Sequence, residues 1–175
     1  AGNLGTLNFR AMATHLYDMV VDPGRGAPVR DYGGQSGPSP AFSGFNPSPD
    51  WQGTLAITYL RGGLSTTLQT RYVGKGDYAT VFGGGFAGPE VEAFAPGDAG
   101  YSPTRAGSVA NNTVDDRFYL TLSASYDLSW RDTEMQLFGV VDNLLDKDPP
   151  VAPGGNGFPT NPVYFDTLGR TFRVG

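Results

Sequence analysis

Between Val114 and Leu128 the chain alternates. Val114, Phe118, Leu120, Leu122, Ala124, Tyr126 and Leu128 fall on one parity; Asp115, Arg117, Tyr119, Thr121, Ser123, Ser125 and Asp127 fall on the other. A period of two belongs to a β-strand with one apolar and one polar face. This one is much longer than the roughly 5–6 residues usual in soluble sheets. Ser129–Thr133 then predicts a tight turn and Glu134–Asn143 a second strand, before a Pro-rich loop over Leu144–Val163.

The same rhythm runs through the rest of the chain. Gly5–Val21 predicts a first strand, with Leu7, Phe9, Ala11, Ala13, Tyr17, Met19 and Val21 on one face and Thr6, Asn8, Arg10, Thr14 and Asp18 on the other. His15 sits on the apolar side, where a polar ring beside Tyr17 is tolerated at a membrane interface. Asp22–Asp50 is rich in Pro, Gly and Ser and reads as a loop. Trp51–Leu60 and Leu64–Tyr72 predict a hairpin closed by Arg61-Gly62-Gly63, where glycine accepts positive φ cheaply. Gly74–Asn112 is a second long loop, and a last strand is expected from Tyr164 to Gly175. All fourteen prolines fall in the three loops, as they must if the remaining segments carry ladder hydrogen bonds.

The pattern predicts an all-β fold: about six long antiparallel strands of a transmembrane β-barrel. Short turns alternate with long loops, as in membrane barrels with short periplasmic and long outer connections. Tyr17, Trp51, Tyr72 and Phe118 fall near one rim of the apolar face, and Tyr59, Tyr126 and Trp130 near the other, matching the aromatic girdles of such barrels. The charges Arg10, Asp18, Arg71, Arg117, Glu134 and Arg173 share the polar parity, as a wet interior requires. A soluble β-sandwich of the carbohydrate-binding kind would also alternate, with shorter strands and more even turns.

Composition narrows the function classes. The 175 residues include 26 glycines, 14 prolines and only 39% hydrophobic residues, which suits an all-β chain with large loops and not a helical bundle. No apolar run is long enough for a transmembrane helix, and no signal peptide opens the chain. A start so close to a strand pattern suggests a segment of something longer. A net charge of −5 argues against nucleic acid as a partner. Without cysteine there is no disulfide or thiolate metal site, and with one histidine neither a catalytic triad nor a zinc cluster assembles.

Three short motifs have residue types that could carry chemistry. Gly83-Gly84-Gly85-Phe86-Ala87-Gly88 has the spacing of a dinucleotide loop, but Pro89 and Pro96-Gly97 deny it the helix that holds the pyrophosphate. Asp142-Asn143 with Asp146-Lys147-Asp148 offers oxygens for calcium without EF-hand spacing, and a strand-end turn explains it better. Glu90 and Glu92 form a carboxylate pair in a loop with no fixed geometry. No enzyme, metal or cofactor follows.

Four stretches carry a resemblance. LNFRAMATHL (Leu7–Leu16), LQTRYVG (Leu68–Gly74), GVVDNLLDKDPP (Gly139–Pro150) and TNPVYFDTLGRTF (Thr160–Phe172) resemble the C-terminal barrel of TonB-dependent outer-membrane receptors. The last two are the more specific, and the likeness extends over nearly all of the chain outside the loop interiors. In that family a barrel of about 22 strands encloses a plug. The resemblance implies a bacterial outer-membrane transporter importing a scarce ligand (a ferric siderophore, cobalamin or a glycan) with TonB-coupled energy. Its implied partners are outer-membrane lipid, the N-terminal plug, the remaining barrel strands and the TonB complex. This sequence contains neither a plug nor a TonB-contacting segment, and its last strand stops at Gly175 before a terminal aromatic. A passive porin-like barrel is the alternative. On this reading the three long loops face outward, and the candidate ligand contacts are Tyr32, Tyr78, Phe82, Phe86, Arg105 and Phe158, since aromatic and Arg side chains are the usual anchors.

Overall fold

The computed structural model describes residues 4–26, 28–37, 46–80, 96–97, 99, 101–104, 108–131, 133–153 and 159–175. Its strands are β1 (Thr6–His15), β2 (Val20–Val21), β3 (Arg30–Asp31), β4 (Trp51–Arg61), β5 (Leu64–Val73), β6 (Gly76–Asp77), β7 (Thr113–Val114), β8 (Arg117–Trp130), β9 (Thr133–Asp142) and β10 (Thr171–Val174). Six of them form one antiparallel sheet in the order β1-β4-β5-β8-β9-β10, and β2-β3 and β6-β7 are separate two-stranded ladders in the loops. Among the described residues there is no helix, and β1 and β10 stand at opposite edges without pairing.

The register gives the alternation its meaning. Reading across the sheet, Phe9 opposes Ile57, Ile57 opposes Leu68, Leu68 opposes Leu122, Leu122 opposes Val141, and Val141 opposes Phe172. Directly paired residues project to the same side, so the apolar parities of all six strands merge into one face. That face is uncovered: Phe9 and Phe172 are each 68% exposed, and Trp51, Leu55, Phe118, Tyr126 and Leu137 are exposed with them. Arg10, Arg71, Arg117, Asp127, Glu134, Asp142 and Arg173 take the other side, and Arg61 alone of the strand charges falls on the apolar parity, at the turn.

Strand length and stagger are also set. β1, β5 and β9 have 10 residues each. At ~3.3 Å per residue such a strand is about 33 Å long. β5 meets β8 as far as Tyr126, while β8 continues to Trp130 against β9. The second hairpin therefore overhangs the first by four residues, or about 13 Å.

Both short turns have a visible cause. Gly62 has φ +56°, and a side chain at Gly63 would press on the Asp127 carbonyl of β8. In the β8–β9 turn Arg131 takes φ +58°, with its guanidinium 6.0 Å from the Trp130 ring.

Three expected boundaries move. β1 stops at His15, whose ring lies 4.3 Å from Tyr17 and 4.4 Å from Trp51, so Asp18 and Tyr17 lie outside the sheet. Val114 does not begin the long strand. It pairs with Gly76 in the β6-β7 ladder and is buried. The last strand starts at Thr171, and 164–170 turns over the polar face instead.

Candidate functional site

The buried part of this protein lies at the long-loop end of the sheet. Tyr32, Gln35, Ser36, Pro47, Pro49, Thr160 and Asn161 are all buried there, although each belongs to a segment the sequence marks as loop. The three loops are joined by hydrogen bonds, two through the backbone and one from a side-chain amide. Ser36 N donates to Asp77 O at 2.7 Å, Asp77 N donates to Gly34 O at 2.8 Å, and Asn161 Nδ2 donates to Gly37 O at 3.0 Å. Asn112 and Ala79 exchange two further bonds, Ala79 N donating to Asn112 Oδ1 and Asn112 Nδ2 to Ala79 O. Glycine is needed where the loops touch: a side chain at Gly37 would collide with the Tyr78 carbonyl, and one at Gly76 with Ser36 Oγ. Buried backbone without sheet partners must be satisfied this way.

Charge at this collar is uneven. Burial, helped by nearby Asp50 and opposed by Lys75, raises the Asp77 carboxyl above its usual range. Asp31 goes the other way, because Gly33 N and Met19 N donate to it at 2.9 and 2.8 Å and favour the anion. Burial raises the phenols of Tyr78 and Tyr164.

Under the collar, on the polar face, lies a cavity of about 450 Å³ lined by residues of β5, β8 and β9 and by 162–169. Arg71 and Tyr119 are directly paired across β5 and β8, and the Arg71 guanidinium lies 4.9 Å from the Tyr119 ring. It also donates to Tyr164 O at 2.6 Å, which fixes its direction. Val73, Val114, Tyr119, Ala152 and Phe165 form the apolar cluster beside it.

One wall of the cavity is a clasp between two sequence runs. Asn143, 3% exposed, has φ +46° and accepts from Lys147 N at 2.9 Å, closing the turn after β9. Its Nδ2 donates to Asp166 Oδ2 at 2.8 Å. Asp146 accepts from Arg170 N, and Arg173 meets Asp142 Oδ2 at 2.7 Å. The VDNLLDKDPP run is therefore a strand-end turn, as its Asp and Asn content predicts, and it is tied to the YFDTLGR run by side chains from both. Among the described residues no group of three or more His, Asp or Glu could hold a metal ion.

The six candidate contacts do not converge here. Tyr32 is 1% exposed, inside the collar. Tyr78 is half-buried, its hydroxyl donating to Pro153 O at 2.6 Å beside a second cavity of about 360 Å³ that includes Asn111 and Val151. Phe82, Phe86, Arg105 and Phe158 lie outside the described residues, as do Gly83–Gly88, Glu90 and Glu92. Reasoning on loop aromatics missed Arg71, Asn143 and Asp166. Their signals were a charge on the polar parity, an Asn directly after a strand end and an Asp in the turn before the last strand, all visible in the sequence but none placed at a shared cavity.

Comparison with protein-family models, with curated proteins and with solved structures returned no match.

Proposed function

We propose that this chain forms part of the wall of a bacterial outer-membrane β-barrel, a segment of a TonB-dependent receptor that imports a scarce ligand. The observation that carries this is the register. Six strands, four of 10–11 residues and one of 14, merge their apolar positions into one uncovered face and turn seven of eight strand charges to the other. A soluble sandwich would lay a second sheet on the apolar face. Among the described residues the only other strands are two two-stranded ladders in the loops. Lipid is the covering that an apolar face of this depth fits. The open edges at β1 and β10 call for further strands, since unpaired backbone in a bilayer costs several kcal/mol per group.

The two clasped runs, VDNLLDKDPP and YFDTLGR, belong to the two more specific of the four stretches that carry the family resemblance. In this reading the wall catalyses no reaction. The collar faces outside and holds the loops that capture ligand, and the polar face looks onto the interior domain. The test is fractionation of the full-length gene product. A receptor is recovered in the outer membrane, migrates as a heat-modifiable band, and loses ligand accumulation when TonB is deleted. Recovery as a detergent-free monomer would refute the membrane reading. Uptake indifferent to TonB would select the passive porin.

A further inference from the structure

We propose that the cavity beneath 162–169 binds a small organic carboxylate, with Arg71 as the anchor. This rests on reading the polar face as the interior of a barrel, with the cavity, just under the collar, left open on the outer side of the interior domain. Arg71 is half-buried in the cavity wall, and among the described residues no carboxylate lies within salt-bridge distance of it. The described contacts of its guanidinium are the Tyr164 carbonyl and the face of Tyr119. Five N–H groups in a rigid fork leave most donors available, and a fork of that shape matches a carboxylate. Gln69 lies two residues along the same side of β5 and adds an amide at the cavity wall.

The two carboxylates lining the cavity do not cancel this cation. Asp142 is held by Arg173 at 2.7 Å and accepts from Thr121 at 3.2 Å. Asp166 uses one oxygen for Asn143 Nδ2 and the other for Leu168 N, so both point into the turn they cap. They do lower the local potential, which favours a single negative charge over a phosphate dianion. Phe165, Pro162 and Leu168 complete the lining and suit an apolar body behind the charged group. A cavity of about 450 Å³ has the size of small-molecule sites.

The experiment uses the full-length protein in nanodiscs and two isosteric probes, benzoate and neutral benzamide, followed by calorimetry. Benzoate is expected to bind about tenfold or more tightly than benzamide, the worth of one charge-assisted contact. Arg71→Gln should bring the two within about twofold, and Arg71→Lys should keep part of the preference. Gln69→Phe, which fills the cavity and spares the cation, should weaken both probes and guards against misfolding of the Arg71 variants. The proposal fails if benzamide binds as well as benzoate, if the preference survives Arg71→Gln, if inorganic phosphate displaces benzoate more effectively than acetate does, or if benzoate does not bind. The assignment of the two faces is tested separately by charges placed at Leu122 and Ser123, so either reading can fail alone.

Discussion

Leu122→Arg against Ser123→Arg is the sharpest test of which face meets lipid. The residues are neighbours on β8, and alternation sends them to opposite sides. Leu122 sits between Leu68 and Val141 on the apolar face. The pairs Tyr72↔Phe118 and Leu64↔Tyr126 bracket it, each four residues away. Four residues are about 13 Å of strand, or about 9 Å of depth at ~45° tilt, so Leu122 lies near the middle of the band. A cation there costs about 2–4 kcal/mol, roughly 30- to 700-fold in the folding equilibrium. Ser123 lies between Thr67 and Val140 on the wet side, and an Arg there is expected to cost under about 1 kcal/mol. The full-length variants are refolded into lipid vesicles and titrated with urea, with the heat-modifiable fraction read on gels. Equal losses, or a larger loss at Ser123, would refute the assignment of faces.

Other expectations follow from the clasp, the collar and the turns. Asn143→Ala removes three hydrogen bonds and leaves a non-glycine residue at φ +46°, so it should cost about 2–4 kcal/mol; Asn143→Gly relieves only the backbone and should recover about 1 kcal/mol, both read as urea midpoints. Asp77, with its pKa raised by folding, contributes stability that is present below the usual carboxylate range and is lost as pH rises through its folded value. Asp77→Asn should therefore slow exchange of the Ser36 amide at pH 7, with the gain shrinking towards pH 4. Asp31, with its pKa lowered, contributes stability present above the usual carboxylate range and lost as pH falls through its folded value. Asp31→Ala should speed exchange of the Gly33 and Met19 amides at pH 7 and matter less in acid. An epitope inserted at Gly97 should be labelled on intact cells and one at Gly62 should not; labelling at Gly62 alone would invert the topology.

How much of this was legible depends on which force set each element. The six-stranded sheet could be read because one apolar face requires every strand to alternate, and a one-residue slip would reverse it. The misplaced boundaries also had signals. Asp116 falls on the apolar parity between Val114 and Phe118, and there the long strand breaks from the β6-β7 ladder. Leu16 falls on the polar parity next to the end of β1. The collar could not be read. Gln35, Ser36, Thr160 and Asn161 are buried where 33–37 meets 160–161, over a hundred residues away, the Asn161 amide donating to the Ser36 and Gly37 carbonyls, and no local period records such contacts. Arg71 carried the right parity, but its cavity depends on where 162–169 folds back.

That division also locates the stability of the chain. Among the described residues the buried hydrophobic ones are Tyr32, Val73, Ala79, Val114, Tyr119, Ala152 and Phe165, and of these Val73 and Tyr119 belong to the six-stranded sheet. In water the largest element would expose nearly all of its apolar face, so the term that ordinarily stabilises a sheet would be missing. The collar carries its own share of that term in Tyr32, Ala79, Val114, Ala152 and Phe165, and it is held besides by hydrogen bonds among backbone, Asn and Gln groups that are already shielded. Transfer to a bilayer adds apolar contact to the sheet and leaves the collar in water. If the proposed membrane setting holds, the strand ends at the long-loop side are fixed by contacts that need no lipid, while the register between them, and the short turns at the far end, would depend on lipid covering the face that Phe9, Leu68, Leu122 and Phe172 share.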